Sequence, residues 1–300
     1  MLLNPQNIDT HPVTRLNNDH IPAKKRFIEI DAAKGIAVML MMFFHYFYLG
    51  KHMNVLDTNT DSGFIYLTAK LAHMTFIIAS GMNLALSTSG KSSDEYIPKK
   101  VKRGLYLLAV GLIISYLTKI EFGDSYVKFG IMHFMGTAVI LSSFLMKVPV
   151  LTYIISAVIL FIHILLKTPS IKNKFLGICE QNPFMCFIGG IMNIKYTSLD
   201  HFSLIPYLGY FLLGSAIAFT CYKIKTVNNE LNELDEENGN NVDKRRFPIM
   251  GILDKYSDNP IVKGITWIGK RSMMFYVVHF TILYCIFKII QINRSERIIE

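Results

Sequence analysis

From residue 32 onward, long apolar runs alternate with short polar breaks. A hydrocarbon core of roughly 30 Å needs about 20 helical residues to cross it. Seven stretches meet or nearly meet that length: 32–50, 64–86, 104–120, 129–147, 148–166, 204–222 and 272–291. The pattern predicts an all-α fold, a polytopic membrane helix bundle of about seven transmembrane helices. Residues 1–25 are polar, carry Pro5, Pro12 and Pro22, and lack the apolar run and small-residue site of a cleavable signal. The first apolar run is therefore expected to act as its own insertion signal.

Two connections are long. In 167–203 the apolar core "FMCFIGGIM" is too short to span and reads as a re-entrant or interfacial segment. In 223–271 the middle, "NNELNELDEENGNNVDKRR", is polar and charged, as in a solvated linker. The domain reading is a tail over 1–25, a transmembrane domain over 26–291 and a second tail over 292–300. The domain carries a linker at about 224–250 and an external loop at about 167–203. No internal repeat is evident, which argues against an inverted-repeat transporter.

Composition supports this picture and charge orients it. Of 300 residues, 51% are hydrophobic and 18% charged, too apolar for an ordinary soluble domain. The net charge of +9 raises the question of nucleic acid, but no nucleic-acid motif accompanies it, and lysine and arginine beside anionic lipid explain it directly. With the N-terminus cytoplasmic, 20 basic residues fall inside, 10 outside, and Lys70 within a span. The expected location is the cell membrane, with the N-terminus in the cytoplasm and the C-terminus outside.

The first span, "DAAKGIAVMLMMFFHYF", carries the first candidate chemistry. Lys34 and His45 are eleven residues apart, within about 20° of three full helical turns, so they share one stripe. His52 returns to that stripe if the helix continues past Gly50. His45 sits roughly 16 Å further along the helix than Lys34. An ionisable residue at such depth normally faces the protein interior or a wet cavity. His73, His133, His163 and His279 also fall within spans. A lone intramembrane histidine is as often a packing partner as a functional group, and His73 and His163 fit that plainer reading.

Four segments, "RFIEIDAAKGIAVMLMMFFHYF", "FGIMHFMG", "LDHFSLIPYLGYFLLG" and "WIGKRSMMFYVVHF", together resemble the compact prokaryotic members of the heparan-alpha-glucosaminide N-acetyltransferase family. The first is also similar to the integral-membrane acyltransferases that O-acetylate polysaccharides, where a basic residue precedes the essential histidine by eleven positions. The resemblance implies an enzyme that takes acetyl from cytoplasmic acetyl-CoA and delivers it to the amine or hydroxyl of a sugar acceptor on the far face. It offers two catalytic histidines: His45 by the polysaccharide pattern, and His52, preceded by Lys51, by the lysosomal one. Lys34 stands where the polysaccharide pattern has arginine, keeping the charge and losing the planar fork. Lys70 stands where the family often has an acid, which implies a different acceptor or a rearranged proton relay.

Acyl transfer from a thioester needs a base near pH 7 and donors around a developing oxyanion. His45 is the leading base, with His133 and His279 as carbonyl-side groups. Asp200, at a position where the family usually has an acid, either orients the acceptor or caps the following helix. Lys34, Arg103 and Arg271 begin or end spans on the inner side and could meet coenzyme A phosphates, although interface snorkelling also explains both arginines. No zinc pattern, P-loop or dinucleotide fingerprint occurs, so no metal is expected. Cys179 and Cys186 share the outer loop, but spacing alone does not pair them. The expected partners are acetyl-CoA, a glycan or other sugar and the lipid bilayer, with no nucleic acid; a homo-oligomer stays open. The alternatives are a small-solute membrane carrier and a catalytically inactive relative.

Overall fold

A computed structural model of the protein describes residues 27–181, 198–222 and 248–299. Among these the fold is entirely helical: α1 (Ile28–His52), α2 (Gly63–Thr88), α3 (Ser93–Phe122), α4 (Ile131–Leu145), α5 (Pro149–Leu166), α6 (Pro169–Gln181), α7 (Leu204–Cys221), α8 (Pro260–Lys270) and α9 (Ser272–Ile299). Six of them, α1, α2, α3, α5, α7 and α9, are long and apolar enough to cross a membrane. The "FMCFIGGIM" segment, the polar middle of the linker, Cys186 and residues 1–26 lie outside the described residues.

The fourth expected span, 129–147, is shorter than its apolar run. Helix α4 has 15 residues, roughly 22 Å of rise against a core of roughly 30 Å. Most of its residues are buried, including Ile131, Phe134, Ala138 and Ser142. It lies behind α3 as an inner helix, and the non-helical residues 126–130 lead into it. Helix α3 departs the other way, starting at Ser93 rather than 104. Its first turns hold Asp94, Glu95, Lys99, Lys100 and Lys102. A charged helical turn can continue into interfacial water, where an apolar-run reading stops. Helix α8 was not foreseen; Asn259 caps it by accepting from the Ile261 N–H at 2.9 Å, and Pro260 opens its first turn.

Small residues bring the central helices into backbone contact. A Cβ on Gly81 of α2 would fall 1.9 Å from the Phe211 carbonyl oxygen of α7, and one on Gly214 of α7 would fall 2.1 Å from that of Ile78. Between them the Ser215 hydroxyl donates to the Gly81 carbonyl at 3.0 Å. In lipid such close approach and interhelical hydrogen bonding replace the hydrophobic drive available in water. Helix α8 reaches α1 in the same way, Gly269 lying against the Asp31 carbonyl.

Two segments distant in sequence are laced together at the distal end of the bundle. Leu199 N–H donates to Ser125 O at 2.8 Å, Phe202 N–H to Phe129 O at 2.8 Å, and the Ser198 hydroxyl to Tyr126 O at 3.1 Å. This seam fixes the 198–203 turn over the N-terminus of α4 and places Asp200 beside α1 and α9.

Candidate functional site

His45 sits seven residues before the last residue of α1 and faces α9. Its Nδ1 lies 2.8 Å from Nε2 of His279, with the rings stacked at 5.1 Å between centroids. The other nitrogen of His279, Nδ1, lies 2.7 Å from the Phe275 carbonyl, one helical turn earlier. A carbonyl only accepts, so His279 Nδ1 carries the hydrogen. With both rings neutral, His279 Nε2 then accepts from the Nδ1–H of His45, and the lone pair of His45 remains on Nε2. The direction of the chain follows from its terminal acceptor.

The wall opposite is built from the 198–203 turn. The Asp200 Oδ2 accepts from the Ile131 N–H at 3.1 Å and from the Tyr276 hydroxyl at 3.4 Å. Of the two readings of Asp200, the one that has it cap the helix following it is therefore corrected: its carboxylate accepts at the start of α4, because the seam to 125–129 carries it there. Burial pushes the Asp200 carboxyl up to about 6, outweighing those hydrogen bonds, which favour the charged form. Burial, then the charge of Lys128, holds the neighbouring His201 down to about 4, so that imidazole is neutral at pH 7. The Tyr48 hydroxyl donates to the Leu199 carbonyl at 3.1 Å and ties α1 to the same turn.

His133, in the first turn of α4, is buried at 6% exposure. It packs where a Cβ on Gly111 would approach its ring to 2.9 Å, so glycine makes room for the imidazole. Its Nδ1 is buried without a hydrogen bond among the described residues. A buried polar atom of that kind calls for a ligand or water as partner.

His45, His133, Asp200 and Tyr276 line one cavity of about 620 Å³, whose walls are otherwise mainly apolar. That size suits a small-molecule site. His279 supports His45 from behind. The other candidates lie elsewhere. Helix α1 does run past Gly50, as the stripe required, yet His52 is exposed at its end, stacked on Tyr48 at 6.2 Å and near Phe122 at 5.4 Å. Lys34 is buried at 8% exposure, towards the other end of α1. Arg103 is exposed, and Arg271 is exposed with its guanidinium 4.9 Å from the Trp267 ring centre. His73 packs edge-on against Phe202 at 4.8 Å, and neither it nor His163 lines the cavity.

Sequence reasoning missed Tyr276 and Tyr48. Each lies three residues from a candidate histidine, His279 and His45 respectively, so a one-turn neighbour search around those histidines was the available signal. Among the described residues no group of His, Cys, Asp and Glu is arranged to hold a metal ion.

Comparison with curated proteins and with solved structures finds no match. The catalytic-domain pattern of heparan-alpha-glucosaminide N-acetyltransferase matches residues 26–247. That segment contains His45, His52, His133 and Asp200, and leaves α9, with Tyr276 and His279, outside it. A match across most of the chain shows that it belongs to the heparan-alpha-glucosaminide N-acetyltransferase catalytic family.

Proposed function

We propose that the protein is a membrane-embedded acetyltransferase that moves acetyl from cytoplasmic acetyl-CoA to a sugar amine or hydroxyl, with His45 as general base. The observation that carries this reading is the chain His45–His279–Phe275 carbonyl. It leaves the free lone pair on His45 Nε2, beside the cavity, and spreads the charge that appears when that nitrogen is protonated.

In the reaction the acceptor nitrogen or oxygen bonds to the thioester carbonyl carbon while His45 Nε2 takes its proton. The carbon–sulfur bond then breaks, and the leaving thiolate takes the proton back from the imidazolium, so His45 ends neutral. The buried Nδ1 of His133 is suited to donate a hydrogen to the carbonyl oxygen as negative charge develops there. Asp200 and Tyr276 form a polar corner for the acceptor. Lys34, Arg103 and Arg271 fit the charge of coenzyme A phosphates, and the roughly 16 Å of helix from Lys34 to His45 suits an extended pantetheine arm. The charge bias of the loops supports cytoplasmic entry.

The test is transfer by purified protein in nanodiscs supplied with labelled acetyl-CoA and membrane glycolipid extract or free aminosugar. Label should appear on an acceptor in wild type and vanish in His45→Ala, which still binds acetyl-CoA. A wild-type protein that binds no acetyl-CoA would sink this reading in favour of a carrier. Binding without transfer or hydrolysis would mark an inactive relative.

A further inference from the structure

The cavity beside His45 is walled for hydrocarbon. Ile113, Leu117, Val277 and Phe280 line it with few polar neighbours. Sugar hydroxyls buried there would lack hydrogen-bond partners along most of the wall, at a large desolvation cost. An acyl or isoprenoid chain would meet carbon along most of the wall.

Its opening faces the bilayer. Ile113, Leu117 and Ile120 line the cavity, yet they are 58%, 57% and 68% exposed. Spaced at i, i+4 and i+7, they form one stripe on the flank of α3. At the distal end α3 and α9 close over the cavity: Lys288 Nζ pairs with Glu121 Oε1 at 2.8 Å, and the Phe122 and Tyr284 rings meet at 6.1 Å. Among the described residues α3 packs chiefly on α4, and α9 chiefly on α1. An ion pair suits the water end of such a bundle, and an exposed apolar stripe suits lipid.

Charge lies at the same rim. The ammonium groups of Lys119 and Lys128 each stand 5.6 Å from the Tyr126 ring centre. Tyr126 adjoins the cavity-lining Val127 and is laced to Ser198, two residues from Asp200. Two positive charges there complement a phosphate, with the polar corner of Asp200, Tyr276 and His45 close by.

Resting on the acetyl-transfer reading above, we propose that this cavity receives, sideways from the bilayer between α3 and α9, the apolar chain of a phosphate-linked lipid whose sugar is the acetyl acceptor. The lipid phosphate sits at the Lys119 and Lys128 rim, and the sugar reaches towards His45.

The test uses full-length protein in nanodiscs and a polyprenyl phosphate probe with a diazirine in its tail. Photolabel is expected on residues 113–120 and 277–285. Excess unmodified polyprenyl phosphate and the variant Leu117→Trp should each reduce it roughly tenfold. Leu112→Trp, at a 65% exposed position that does not line the cavity, should leave it unchanged. Equal labelling of the lipid face of α5, or competition by long-chain acyl-CoA and not by polyprenyl phosphate, overturns the proposal. A second readout follows acetyl from labelled acetyl-CoA into solvent-extractable sugar lipid. Transfer to a water-soluble sugar, undiminished in Leu117→Trp, overturns the lipid acceptor. A competed photolabel in a protein that consumes no acetyl-CoA removes the acetyl-transfer reading and leaves the lipid site standing.

Discussion

His45 Nδ1 and His279 Nε2 lie 2.8 Å apart although 234 residues separate them in the chain. The Phe275 carbonyl behind His279 orders the hydrogens of both rings, so two intramembrane histidines become one directed relay.

The relay predicts graded losses. His45→Ala should lower kcat by about 10²- to 10⁴-fold through lost general-base help, with coenzyme A binding retained. His279→Gln should lose less than His279→Ala, because a side-chain carbonyl can still accept from His45 Nδ1–H. Steady-state kinetics of the three variants and His52→Ala checks this. An active His45→Ala enzyme beside a dead His52→Ala would move the base to the end of α1.

Lys34 should fail differently from His45. Its charge would attract phosphate equally in ground and transition states, so Lys34→Ala is expected to raise the KM for acetyl-CoA about tenfold with kcat little changed. A fall in kcat at unchanged KM would place Lys34 in the chemistry or in the fold.

Asp200 makes stability depend on pH. Its carboxyl is raised from an ordinary 3.8 to about 6. Its contribution is thus fully present below about pH 4 and lost as pH rises through about 6. Relative to acid pH, the shift removes about 3 kcal/mol of stability by pH 7. The wild-type unfolding midpoint in detergent should fall as pH rises from about 4 to about 6 and level off above that, and Asp200→Asn should flatten that fall. An identical pH dependence in both proteins would show that Asp200 is not the group responsible.

The close contact of α2 with α7 leaves no space for a side chain. Gly81→Val should destabilise by about 3 kcal/mol or more, since the clash is with the Phe211 carbonyl and only backbone movement relieves it. Gly264→Val, with nothing near its Cβ, is the matched control. Thermal unfolding of both variants decides the point.

Orientation is testable at two exposed positions at opposite ends of the bundle, Ser62 and Ser92. In a cysteine-free background an impermeant thiol reagent applied to intact cells should label Ser62→Cys and spare Ser92→Cys. The reverse pattern would invert the membrane orientation and the side from which acetyl-CoA is expected.

The amino-acid sequence by itself determined the helical class and the approximate extent of most spans, because apolar length and helical period are local properties. The stripe from Lys34 to His45 and on to His52 was legible for the same reason. Which member of that stripe meets a partner was not: His45 meets α9, while His52 lies exposed at the end of the helix. Asp200 shows the limit most clearly. Nothing nearby in sequence says that its carboxylate reaches the N-terminus of α4; the seam between 125–129 and 198–202 carries it there. The cavity belongs to the same class of fact. Its walls come from α1, α3, α4, α9 and the 198–203 turn, and its opening exists because α3 packs on α4 while α9 packs on α1. Local periodicity sets which face of a helix is apolar; only the packing of separate helices decides which polar atoms meet there and where lipid can enter.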